Sequence, residues 1–188
     1  MSKLILTLSL IVFYFPGSAQ SNIKLPELDK SSMDVSYYPA NYPILKIQNK
    51  VTETPVARVI YSRPSKQGRK VFGELVEYGK VWRLGANEAT EIEFFSDVKI
   101  GSKKISKGRY SLYAIVNEKN WTFIVNKDTD VWGAFKYDPK KDVARLELSV
   151  EKTEEVVEAL AMVFEKSATG INLIVAWEQV RVTIPISL

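Results

Sequence analysis

The sequence predicts an all-β fold, an antiparallel β-sandwich or a partly open, jelly-roll-like barrel of about nine or ten short strands with little helix. Three observations lead there. Apolar residues recur at every second position along most of the chain. Turn signals built on Gly, Asn and Ser separate these runs at short spacing. No long stretch carries a competing 3.6-residue period.

The elements follow in chain order. Lys3 precedes an apolar run from Leu4 to Phe15 in which Thr7 and Ser9 are the polar exceptions. Pro16-Gly17 breaks the run and Ser18-Ala19 supplies small residues for cleavage. The run is shorter than the roughly 20 apolar residues of a membrane span. Residues 1–19 therefore read as a secretory signal cleaved near Ala19, with an uncleaved anchor as the alternative. The mature chain is expected to be secreted or periplasmic, with no transmembrane segment. Residues 20–36 are polar and read as a flexible lead-in, and residues 37–188 as one β domain. About 170 mature residues suffice for one core that buries roughly 70% of the unfolded surface.

Tyr37-Tyr38-Pro39-Ala40-Asn41-Tyr42-Pro43 is aromatic and proline-rich, hence an edge strand or an irregular extended stretch. Beyond it, Tyr110, Leu112, Ala114 and Val116 share a strand face, as do Trp121, Phe123 and Val125. Ala144, Leu146, Leu148 and Val150 oppose Arg145, Glu147 and Ser149. Ile171, Leu173, Val175 and Trp177 form one stripe, and Val180, Val182, Ile184 and Ile186 another. Turns are expected at Ile100-Gly101-Ser102, Lys107-Gly108, Asn117 to Asn120, and Ala168-Thr169-Gly170. Thr153 to Leu160 has room for a helical turn, but Val156-Val157 and the following Met162 and Phe164 favour an extended chain.

Ser62 to Ala89 breaks the alternation. It is rich in glycine and in Arg63, Lys66, Arg69, Lys70, Lys80 and Arg83. A long irregular insertion in a compact domain is functional or disordered. Val71-Phe72, Leu75-Val76 and Val81-Trp82 argue for order, because such apolar pairs can pin the segment to a core.

Composition removes whole classes of chemistry. The chain has no His and no Cys, so no Ser-His-Asp or Cys-His catalysis and no imidazole or thiolate zinc site can form. Proton transfer would fall to Asp, Glu, Lys, Tyr or Arg. Net charge is +4, mild and interspersed, which argues against a nucleic-acid reader. No cofactor is expected. Asp128-Thr129-Asp130 invites a calcium reading, but Val131-Trp132 follows where the loop pattern requires other residues, so no metal is expected.

Tyr61-Ser62-Arg63-Pro64, Lys66-Gln67-Gly68-Arg69, Tyr78-Gly79-Lys80-Val81-Trp82-Arg83, Gly85-Ala86-Asn87-Glu88-Ala89-Thr90, Gly108-Arg109-Tyr110-Ser111-Leu112 and Trp132-Gly133-Ala134-Phe135 are similar to the bacterial domain-of-unknown-function 2911 family. The likeness spans roughly Met33 to Ile186, with Glu77 standing where the family's Pro is expected. It implies a compact secreted β domain and no particular reaction.

Arg63, Arg69, Arg83, Asn87 and Glu88 are the candidate polar contacts, with Trp82, Trp132 and Tyr137 as candidate walls. Arginine binds carboxylate or phosphate through a planar fork. The expected function is recognition of a small polar or anionic ligand, such as a glycan. Three other readings stand beside it. Glu88 can pair with Arg83 or Arg63 in a purely structural network. A carbohydrate lyase or hydrolase can use Tyr, Arg and carboxylates. The chain can also be a cell-envelope interaction domain that uses its Tyr37–Pro43 edge.

Overall fold

The computed structural model describes residues 23–188; the expected signal segment and its cleavage point lie outside them. Eleven strands form two antiparallel sheets. The larger contains β1 (Met33–Tyr38), β2 (Ala57–Ser62), β4 (Glu91–Phe94), β7 (Gly108–Val116), β8 (Asn120–Asn126) and β9 (Asp142–Ser149) in the order β1-β2-β4-β7-β8-β9, with β3 (Val81–Trp82) paired to β7. The smaller has the order β10-β11-β5-β6, built from β10 (Glu151–Ser167), β11 (Gly170–Ser187), β5 (Val98–Ile100) and β6 (Lys103–Ile105). This is an all-β sandwich, as the alternation predicts.

The sheets face each other across one apolar core. Val59, Ile92 and Leu112 meet it from the larger sheet, and Met162, Leu173 and Val182 from the smaller. All are almost completely withdrawn from water, which makes their burial the main stabilising term. The expected extended reading of Thr153 to Leu160 holds, since one strand runs through it.

The two apolar stripes of the long strand β11 are both buried, in opposite phase. Odd-numbered Ile171, Leu173, Val175 and Trp177 are buried, then even-numbered Val180, Val182, Ile184 and Ile186. A side-chain period of two cannot change parity without an extra residue. Glu178, held at φ 57°, supplies it, and the β10–β11 register shifts beside it.

Other local features differ from the sequence reading. Three strands, β3, β5 and β6, have two or three residues, too few to show alternation, so the count exceeds ten. Met33 to Ser36, expected in the lead-in, already pair with β2. The stretch expected to be extended through Pro43 turns instead into helix α1 (Tyr42–Ile47). Proline in the first turn suits a helix start, and Tyr42 anchors it by donating from its hydroxyl to the Glu53 carbonyl at 2.8 Å.

Candidate functional site

The segment between β2 and β4 is pinned to the core, as its apolar pairs require. Val71, Phe72, Val76, Trp82 and Leu84 are buried, although Leu75 remains exposed. Trp82 stacks on Trp177 of β11 at 6.0 Å between ring centroids and meets Trp121 of β8 edge-on at 5.8 Å. Phe72 packs on the same tryptophans. Both sheets thus build a rigid aromatic floor beneath the segment.

Above that floor the chain turns sharply after Arg83. Leu84 has φ 54° and is fully buried, a left-handed conformation that costs a bulky residue about 1–3 kcal/mol. Several hydrogen bonds hold it there. Trp82 Nε1 donates to the Gly85 carbonyl at 3.1 Å, and Thr90 Oγ1 donates to the Leu84 carbonyl at 2.8 Å. The Thr90 amide donates to the Arg83 carbonyl at 3.1 Å. A Cβ on Gly85 would stand 3.2 Å from the Ser62 carbonyl oxygen, so glycine is what allows the close approach. The result is a stiff mount for Arg83.

The arginines then separate by what they touch. Of seven in the chain, Arg58, Arg63, Arg109, Arg145 and Arg181 pair with carboxylates. Arg63 joins Asp34 at 2.9 Å and also donates from Nε to the Leu160 carbonyl at 3.0 Å, so it ties β10 to the opposite sheet's edge. Arg69 donates from Nε to the Lys66 carbonyl and from Nη2 to the Ser65 carbonyl, which leaves Nη1 uncommitted. Arg83 has neither kind of partner among the described residues, and its Nε is buried without a hydrogen bond. Burial lowers its pKa from the ordinary arginine value, with no carboxylate to offset the desolvation, yet the group stays cationic at neutral pH.

Arg69 and Arg83 share a crevice of about 210 Å³ with Pro64, Ala86, Trp82 and Trp177. The pair brings two planar donors to one recess, which suits a carboxylate, phosphate or sulfate. The other expected contacts lie elsewhere. Asn87 acts here through its backbone, whose carbonyl accepts from the Gly133 amide at 2.9 Å. Glu88 is exposed, pairs with neither Arg83 nor Arg63, and lines a separate hollow of about 230 Å³ with Glu91 and Asp130. Arg109 already engages both of those carboxylates.

Residues 43–186 match the family described as a protein of unknown function, DUF2911. The chain belongs to that family. No curated protein and no solved structure matches it. The DUF2911 span contains every candidate residue from Arg63 to Tyr137, together with both sheets except the edge strand β1.

In this DUF2911 domain Trp132 and Tyr137 belong to a further cleft of about 380 Å³, formed with Tyr113, Gly133, Phe135 and Lys136 on the outer side of the larger sheet's β7. Trp132 is 62% exposed and Phe135 84%. Phe135 and Lys136 escaped the sequence reading; the pattern Trp132-Gly133-Ala134-Phe135, two large rings around small residues, was the available signal. Tyr137 donates its hydroxyl to Asp142 at 2.7 Å and accepts from Arg145 Nη2. Burial, followed by the Asp142 bond and charge, pushes its pKa up to about 12. It keeps its proton at neutral pH, which makes it a poor general base. Tyr61 likewise has its hydroxyl engaged with both the Met162 amide and carbonyl. Asp128 and Asp130 are occupied by Lys141 and Arg109. Among the described residues, no group of three Asp or Glu is placed to hold a metal, and no helix is long and apolar enough to cross a membrane.

Proposed function

We propose that the chain is an exported domain that binds a small polar ligand through an anionic group, held between Arg69 and Arg83. Arg83 is the main support. It is the one arginine among the described residues with no carboxylate or carbonyl partner, and it stands half-buried on a strained, heavily bonded turn beside a crevice. An anion placed there offsets, by Coulomb attraction, the hydration that burial has removed, in surroundings less screened than open water. Trp82 and Trp177 line the base of the crevice and hold it rigid.

Thermal-shift and calorimetric titrations with inorganic phosphate, sulfate, glucuronate and galacturonate test this reading. A ligand at a hundred times its Kd stabilises by about 2.7 kcal/mol. Arg83→Met and Arg69→Met are each expected to weaken that binding about tenfold or more, the loss of one charge-assisted bond. The reading fails if none of the four anions shifts the melting curve, or if both variants bind as the parent does.

The lyase or hydrolase alternative gains less. Tyr61 and Tyr137 are committed to hydrogen bonds, and Glu91 and Asp130 to Arg109. The Tyr37–Pro43 edge lines an apolar groove of about 400 Å³ with Ile44, Val163 and Phe164, with no residue pattern there that selects a partner.

A further inference from the structure

We infer that the arginine crevice and the Trp132–Phe135 cleft are two halves of one site, and that its ligand is an acidic oligosaccharide. One sugar carboxylate sits on Arg83 and Arg69, and a neighbouring sugar ring lies against the exposed rings of Trp132 and Phe135. This inference rests on the reading of the crevice as an anion site and adds the class of ligand.

Gly133 is the junction. A Cβ built on it would stand 2.9 Å from Phe135 Cε2 and 3.9 Å from Arg83 Cδ. The stem of Arg83 and the ring of Phe135 therefore converge on the same bare α-carbon. Gly133 has φ 67°, which glycine adopts without strain, and its amide is fastened to the Asn87 carbonyl at 2.9 Å. The Glu88–Trp132 bridge and the bond from the Ala89 amide to the Val131 carbonyl at 3.0 Å lock the two loops side by side. The arginine mount and the aromatic platform are thus joined, and the stem of Arg83 passes beside Gly133, a residue of the cleft wall.

The chemistry of the cleft selects a sugar. Trp132 and Phe135 are the two most exposed aromatic side chains among the described residues. Leaving large rings in water is unfavourable unless a ligand covers them. The polar groups at the back are already satisfied: Tyr137 by Asp142 and Arg145, and Asp130 by Arg109. A nucleobase, which is recognised by donors and acceptors along its edge, would find neither Tyr137 nor Asp130 free. A pyranose needs only an aromatic face for its C–H surface and solvent for its hydroxyls. Lys136, with no ion pair among the described residues, adds a cation to the same cleft, and a polymer with repeated carboxylates offers it a partner.

Binding of uronate oligomers distinguishes this inference from the one beneath it. Calorimetry on the full mature chain uses trimers of galacturonate, mannuronate and the glucuronate-containing hyaluronan repeat, against the free monosaccharide acids and a methyl-esterified galacturonate trimer. At least one acidic oligomer is expected to bind about tenfold tighter than its monosaccharide, because the second contact is tethered to the first. Trp132→Ala and Phe135→Ala are expected to remove most of that gain and to leave monosaccharide affinity within about twofold, since neither ring touches the carboxylate. Esterification is expected to abolish the gain. If monosaccharide acids bind through Arg83 but no oligomer binds tighter, or if both aromatic variants keep the gain, the oligosaccharide site is refuted and the anion crevice survives. If neither monosaccharides nor oligomers bind, the oligosaccharide site is refuted, and if phosphate and sulfate also fail to bind, the anion crevice falls with it. Both aromatic residues are exposed, so the variants are expected to fold, and an unchanged melting temperature verifies it.

Discussion

Replacing Arg83 with methionine is expected to stabilise the ligand-free protein while destroying its affinity for anions. The guanidinium is half-buried, its Nε has no hydrogen-bond partner, and no carboxylate lies within ion-pair distance among the described residues. An unsatisfied buried donor costs about 1–3 kcal/mol. Arg83 is only partly buried and lines the crevice, so its charge is partly solvated and the lower end of that range applies. Methionine keeps a flexible apolar stem against Gly133 and Phe135, and so avoids the cavity that alanine would leave. The net expectation is a gain of about 1 kcal/mol, which for a domain of this size raises Tm by roughly 2–4 °C. Urea unfolding of parent and variant, with equal slopes, measures it, and phosphate or uronate titration of the same samples measures the loss of binding. A variant destabilised by 1 kcal/mol or more would show that the guanidinium holds the fold together, and the argument for a binding role would collapse. The trade of stability for affinity is what an electrostatic site held ready for its ligand requires.

Two further outcomes follow from the same contacts. Arg63→Met is expected to act in the opposite direction, lowering stability by about 1 kcal/mol in urea unfolding, because it strands the Leu160 carbonyl; the exposed Asp34 pair adds little. Equal behaviour of the Arg63 and Arg83 variants would contradict the division between structural and ligand-facing arginines. For Tyr137, folded-state pKa near 12 exceeds the unfolded value of 10, so the folded protein binds the proton more tightly. Its contribution to stability is therefore complete below pH 10 and is lost as pH rises through 12. Ultraviolet titration of phenolate, parent minus Tyr137→Phe, is expected to show this hydroxyl ionising well above the exposed tyrosines, and an ordinary ionisation would undo the assignment of its bonds to Asp142 and Arg145.

Much of the fold is written in short-range pattern. Alternation in Tyr110 to Val116, in Trp121 to Val125 and along β11 marks the buried face of each strand, because a pleated chain sends neighbouring side chains to opposite sides whatever their partners. Val71, Phe72, Val76 and Trp82 could be read as pins for the same reason: large apolar groups in a polar stretch leave water wherever a core is near. Strands of two or three residues carry no period, and α1 grew from a stretch whose prolines suggested only extension.

The site was legible as a set of residue types and hidden as an arrangement. Arg63, Arg69 and Arg83 look alike along the chain, yet one meets Asp34 and Leu160, one its own loop, and one has no polar partner among the described residues. Likewise, Trp132 and Phe135 stand beside the turn that carries Arg83 because Gly133 docks on Asn87 and Ala89 on Val131. Local composition sets which side chains avoid water and which turns a backbone can make, since those preferences act within a few residues. Which charge is neutralised and which is left facing a crevice depends on partners as far away as the 97 positions that separate Arg63 from Leu160. Strand order and register bring such groups together, and no short stretch of sequence encodes them.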